Sequence, residues 1–182
     1  MAPRHPVPDE PHRVAFIVLY LLDASVLITA SNSYYSIDRV PEFWDWLSHV
    51  GSQDKVKIPL EIFEEIKDGS DVLSVWIKED DNKGALLFPE EAEAALVSRV
   101  TDEGYAPDLT DDEVEKIGRD PFLIAYALVA PDERCVVTTE VSKPRRRRAN
   151  RHLPDVCQTM GITCFNSFDF LKALNFSTSW NS

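Results

Sequence analysis

Val14-Ala15-Phe16-Ile17-Val18-Leu19-Tyr20-Leu21-Leu22-Asp23-Ala24-Ser25 is a strongly apolar run that stops on an acid. A run this apolar and β-branched reads as a strand buried on both faces, the kind found at the centre of a parallel sheet. In open α/β sheets ligands sit outside the carboxyl ends of the strands. Asp23, the first polar side chain after the run, falls at that place. A carboxylate on a rigid strand end suits metal or phosphoryl chemistry. Capping the following helix would require the same residue, so both readings are open from these residues alone.

The elements on either side repeat the alternation of strand and helix. Ala24 to Ser31 reads as a helix opening directly from the strand, and Pro41 begins a second, with Pro in the tolerated first turn. Phe43, Trp44 and Leu47 recur there at helical spacing, which suits core or dimer packing. Val56-Lys57-Ile58 reads as a short strand, and Leu60 to Lys67 as a helix that Asp68-Gly69 ends. Asp71 to Lys78 suggests a further helix, Asp80 to Gly84 a loop, Leu86 to Phe88 an extended piece, and Pro89 to Val100 a helix. Thr101 to Gly118 is polar and acidic. Arg119 to Val129 reads as a buried helix, Cys135 to Thr138 as a strand, Pro154 to Met160 as a helix, Ile162 to Cys164 as a strand, and Ser167 to Leu174 as a last helix. The expected fold is α/β with a short parallel central sheet.

The chain has 182 residues, enough for one domain with a full core. Residues 1–13 are Pro-rich and read as a disordered extension, residues 14–176 as the folded domain, and 177–182 as a tail. The run to Leu22 is too short to span a bilayer. The three cysteines, Cys135, Cys157 and Cys164, show no metal spacing and read as free thiols in a reducing cytosol, so a cytoplasmic location is expected. The formal net charge of −12 argues against a general nucleic-acid coat protein. Its distribution is uneven, however. Lys143, Arg145, Arg146, Arg147, Arg148 and Arg151 place six positive charges in nine residues.

Four acids adjoin buried elements: Asp23 after the first strand, Glu65 on the helix after the second, Asp120 at the start of the apolar helix, and Glu140 after Val136-Val137-Thr138. This order resembles the PIN domain, the nuclease fold of the VapC-type toxins of bacterial toxin–antitoxin pairs. The resemblance lies in Leu21-Leu22-Asp23-Ala24-Ser25, in Pro59 through Gly69 with Glu65, Ile66 and Gly69, in Asp120 through Ala127 with Ile124 and Ala125, and in Val136-Val137-Thr138-Thr139-Glu140. Tyr34-Tyr35, Phe43 to Leu47, Ile58-Pro59, Leu153 to Cys157 and Phe168 to Leu171 resemble a PIN-like subfamily of uncharacterised bacterial proteins. The resemblance covers roughly residues 16–176 and implies a three-layer α/β/α sandwich.

It also implies a metal-dependent endoribonuclease. Carboxylates repel phosphodiesters, so an acid cluster without His suits a hard cation, Mg²⁺ or Mn²⁺. Asp23 and Asp120 are expected to bind the ion directly, and Glu65 and Glu140 directly or through water. Ser25 or Thr138 is expected to orient a ligand or a water. The family's last acid is usually Asp in a Thr-x-Asp context, so Asp155 competes with Glu140 for the fourth place. Glu64 and Glu61 compete with Glu65, which is favoured by the Ile that follows it and the Gly four residues on. The basic loop Lys143 to Arg151 is expected to attract the RNA backbone. An antitoxin partner and a homodimer are implied by the resemblance only, and no membrane partner is expected. Two other classes stay open: a phosphoryl-transfer enzyme of the haloacid-dehalogenase type, which would want a second Asp where Ser25 stands, and a non-catalytic interaction module on the PIN fold.

Overall fold

Strand β1, Leu19–Leu22, is the part of the apolar run seen in the computed structural model, which describes residues 18–182. The expected extension 1–13 and the start of the expected strand, 14–17, lie outside the described residues. Leu21 and Leu22 have no exposed surface at all. The chain continues through α1 (Ala24–Asn32), α2 (Pro41–Ser52), β2 (Val56–Lys57), α3 (Leu60–Lys67), α4 (Val72–Lys78), α5 (Asp80–Leu86) and α6 (Ala94–Arg99). A π-helical turn (Val100–Tyr105), α7 (Asp111–Ile117), α8 (Asp120–Leu128) and β3 (Arg134–Val137) follow. A 3-10 turn (Arg148–Asn150), α9 (Leu153–Met160), β4 (Cys164–Phe165) and α10 (Ser167–Ala173) complete the fold.

The sheet is entirely parallel, in the order β2-β1-β3-β4. Helices cover it to give a three-layer α/β/α sandwich. After β2 the chain crosses β1 to enter β3 on the other side. The gap between the carboxyl ends of β1 and β3 is therefore the topological switch point, where α/β sheets open a crevice. Register fixes what meets there: Leu22 pairs with Val137, and the Asp23 N–H donates to the Val137 carbonyl at 2.9 Å. No described helix is long and apolar enough to cross a membrane.

Three sequence expectations change: the loop at Asp80 to Gly84, the helix start at Pro89, and the strand expected over Ile162 to Cys164, which is instead Cys164–Phe165. Asp80 to Gly84 is helical, not a loop. Asp80 and Asp81 occupy the first turn of α5, where acids suit the positive end of the helix. Asn82 is buried and bonds the Trp76 carbonyl at 2.9 Å and the Ser48 hydroxyl at 2.7 Å, so tertiary contacts override its weak helix propensity. The helix expected from Pro89 begins only at Ala94. Ahead of it, Glu90 receives a two-pronged Arg134 guanidinium at 2.8 and 2.9 Å. The polar stretch after residue 100 holds the π-helical turn and α7, and α7 opens on a capping box between Thr110 and Glu113.

Phe43, Trp44 and Trp46 are core residues, at most 3% exposed, which favours core packing over an exposed dimer face. Tyr35 stacks on Phe43 at 4.6 Å. The C-terminal segment is docked: the Trp180 indole N–H donates to the Glu42 carbonyl at 2.9 Å. The π-helical turn lies against α9 at Gly104, where an added Cβ would sit 2.7 Å from Val156 Cγ1. Gly104→Ala should therefore cost roughly 1–3 kcal/mol by overpacking. Gly84→Ala, in open space within α5, should be neutral or stabilising by about 0.5–1 kcal/mol. Urea unfolding of the two variants measures the difference, and equal effects would contradict the packing described.

Candidate active site

Asp23 stands at the N-terminal edge of α1 but makes no side-chain capping bond there. Its Oδ2 instead accepts from two hydroxyls, Ser25 on α1 and Thr138 just after β3, the latter at 2.8 Å. Both hydroxyls are themselves fixed from behind. The Thr139 N–H donates to Ser25 Oγ and the Glu140 N–H to Thr138 Oγ1, each at 3.2 Å. This lattice ties the loop after β3 to the acid after β1. Hydroxyls that already accept one bond and donate another hold their partner in a single orientation. Asp23 Oδ1 has no protein donor among the described residues.

Asp23, Ser25, Glu65, Asp120 and Glu140 line one open cleft of about 550 Å³, together with Lys116 and Arg119. Glu65 reaches it from α3. Its neighbour Glu64 faces Arg119 at 3.7 Å, and Glu61 lies against Tyr126 on a different cavity. Asp120 opens α8 and accepts the Tyr105 hydroxyl at 3.1 Å, while burial and the Asp120 charge hold the Tyr105 phenol protonated. Glu140 is fixed by the first N–H of α9: Leu153 donates to its Oε2 at 2.7 Å. A helix N-terminus favours such an anion.

The carboxylates oppose one another's ionisation. Burial, then the charges of Asp23 and Glu140, push Asp120 up to about 7, against which the Tyr105 hydrogen bond acts; Glu65 adds a smaller rise. Glu65 is raised by desolvation and then by Asp23, with Arg119 pulling the other way. Mutual repulsion among acids in one cleft makes them a candidate functional site.

The basic loop divides into anchors and exposed charges. Arg148, at φ +53, donates to Glu113 at 2.7 and 2.8 Å and to Asp108 at 2.6 Å. This pairing draws Glu113 down to about 2. Arg151 binds the Gly104 and Asp155 carbonyls and the Thr159 hydroxyl. Both side chains expected on RNA are thus engaged within the protein, and they pin the loop over α7, α9 and the π-helical turn. Lys143, Arg145, Arg146 and Arg147 stay exposed, and Arg146 lines a cavity beside the acid cleft. Asp155 is buried away from that cleft, where Oδ1 accepts Ser142 Oγ at 2.5 Å and Oδ2 the Lys143 N–H at 2.7 Å. Of the two candidates for a fourth acid, Glu140 is the one that lines the cleft.

Residues 20–178 match the family described as domain of unknown function (DUF4411). The chain belongs to the DUF4411 family. No curated protein and no solved structure matches it. All four cleft acids of this DUF4411 domain fall within the matched span. So do Tyr105, Lys116, Arg119 and His152, which line the cleft or its neighbour and which motif reading did not select. Lys116-Ile117-Gly118-Arg119 directly precedes Asp120, and that adjacency was the available signal.

The donor set fits a hard divalent cation: four carboxylates, no sulfur, and mutual repulsion that an opposite charge would relieve. Among the described residues, no three acid, histidine or cysteine side chains are drawn in around one point, so the acids line a cleft rather than clasp a centre.

The Asp120 shift has a definite sign. A folded chain that keeps this proton up to about pH 7, while the unfolded chain loses it near pH 4, is most favoured at low pH. That contribution fades as pH rises through 7. In chelator at pH 8, Asp120→Asn should therefore be more stable than the parent by about 1–3 kcal/mol, with the gap closing toward pH 4. Urea unfolding across that pH range measures it; a gap independent of pH would contradict the electrostatic account.

Proposed function

We propose that this DUF4411 domain is a metal-dependent endoribonuclease, the toxin component of a type II toxin–antitoxin pair. The observation that carries the reading is the convergence of Asp23, Glu65, Asp120 and Glu140 on one cleft at the switch point of a parallel sheet. The resemblance to the PIN domain supports it, since the same four positions are the ones that resemblance implies.

Asp23 and Asp120 would hold Mg²⁺ or Mn²⁺, with Glu65 and Glu140 completing the set. A divalent ion in such a site supplies charge neutralisation and water activation for phosphodiester hydrolysis. The chain's own residues position the acids. Ser25 and Thr138 fix Asp23 through Oδ2 and leave Oδ1 toward a ligand. Tyr105 holds Asp120, and the α9 N-terminus holds Glu140. Exposed Lys143, Arg145 and Arg147 offer the phosphate attraction that an acidic chain otherwise lacks. The antitoxin and a second copy of the chain are proposed partners on the strength of the resemblance.

Asp23→Asn keeps the shape and both accepted hydrogen bonds but removes the charge. It should lower Mn²⁺-dependent cleavage of total RNA about a hundredfold or more with the melting curve retained. Full activity in the folded variant would overturn the assignment. On α3, Glu65→Gln should be as damaging, whereas Glu64→Gln should keep activity within a few-fold; the reverse order would show that Glu64 faces the substrate.

A further inference from the structure

Two cavities lie side by side and differ in charge. The acid cleft has Asp23, Glu65, Asp120 and Glu140 against Lys116 and Arg119. Its neighbour, of about 330 Å³, has Lys116, Arg146, Arg151 and His152 against Asp120 and Glu140 alone. The two share Lys116, Ile117, Asp120 and Glu140, so they form one continuous trough with an acidic end and a basic end.

The basic end is built rather than incidental. Arg148 and Arg151 spend their charge on fixing the loop, and the left-handed backbone at Arg148 costs energy that its Asp108 and Glu113 pairs offset. The loop so fixed carries Arg146 to the cavity wall. Lys116 Nζ donates to Asn150 Oδ1 at 2.7 Å, which holds the ammonium at the lining of the same cavity. The His152 ring lines the same cavity, with Nδ1 buried 3.7 Å from Glu140 Oε2. A small cavity with a surplus of cationic and N–H donors selects a compact oxyanion, and Arg and Lys together favour phosphate.

We infer that this cavity binds a backbone phosphate adjacent to the one cleaved, with Arg146 and Lys116 as its principal contacts. The inference rests on the ribonuclease reading only for the identity of the phosphate; the anion site itself stands on the cavity. It gives the RNA a direction of travel, from the acid cleft toward the turn at Arg148–Asn150. It also assigns separate work to two parts of the basic loop: Arg146 contacts one defined phosphate, whereas Arg145 and Arg147 attract RNA without register.

Two measurements on the full chain test it. In the first, inorganic phosphate is titrated into ¹⁵N-labelled protein at low salt. Amide shifts should concentrate at Lys116, Arg146 and His152, and should disappear in the Lys116→Gln/Arg146→Gln double variant. Both substituted side chains are exposed, and a retained melting curve shows that the variant folds. Shifts spread over the surface, or unchanged in the variant, would overturn the site. In the second, a cleaved RNA carries a single neutral methylphosphonate at each backbone position in turn. One position next to the scissile bond should slow cleavage about tenfold in the parent and have little effect in the double variant. The salt slope of RNA binding should fall by about one for each phosphate that the variant no longer neutralises. Equal sensitivity at every position in both proteins would overturn the assignment to a flanking phosphate. If phosphate binds as stated but no RNA is cleaved with Mg²⁺ or Mn²⁺, the anion site holds and the ribonuclease reading fails.

Discussion

The parallel pairing of β1 with β3 is the constraint on which the rest of the site depends. Leu22 beside Val137 places Asp23 next to Thr138, and the crossing from β2 over β1 leaves that junction as the crevice at the carboxyl end of the sheet. Everything that meets there does so because of where those two strands end. A one-residue slip in the register would exchange the side chains packed against the two helix layers and separate Asp23 from its hydroxyls. The large apolar area buried along β1 and β3 therefore stabilises the site geometry as well as the fold.

Electrostatics act in the opposite direction. Gathering Asp23, Glu65, Asp120 and Glu140 disfavours the folded state at neutral pH, as the rise of Asp120 to about 7 indicates. Arg119 and Lys116 offset part of this at the cleft wall. Hydrogen bonds from Tyr105, Ser25, Thr138 and the Leu153 N–H keep Asp120, Asp23 and Glu140 in place despite their repulsion. A fold that holds like charges together in this way gives up stability for a local field, and such a field attracts cations.

The two central strands were legible because buried parallel strands read as continuous apolar runs, whereas β2 is only Val56–Lys57 and β4 begins two residues later than expected; the four acids were legible because each adjoins a buried element. The α5 helix was not, because Asp80-Asp81-Asn82 has loop propensity, and the contacts of buried Asn82 with α2 and α4 that favour the helix are not visible locally. The delayed start of α6 was hidden for a similar reason: Arg134, far away in sequence, holds Glu90 out of a helix. Within the basic loop, composition could not separate anchors from exposed charges. The partners of Arg148 and Arg151 lie on α7, on α9 and on the stretches flanking α7, and no local pattern announces them. Asp155 is the same case, an acid of the right type whose two oxygens are already taken by Ser142 and Lys143.

The central claim is that the four acids constitute a divalent-cation site. Water-proton relaxation during a Mn²⁺ titration of the full chain at pH 8 tests it without reference to any RNA. The account predicts saturable binding that is lost in both Asp23→Asn and Asp120→Asn and kept in Glu64→Gln. Binding that is absent in the parent chain, or that survives both aspartate substitutions, would contradict it.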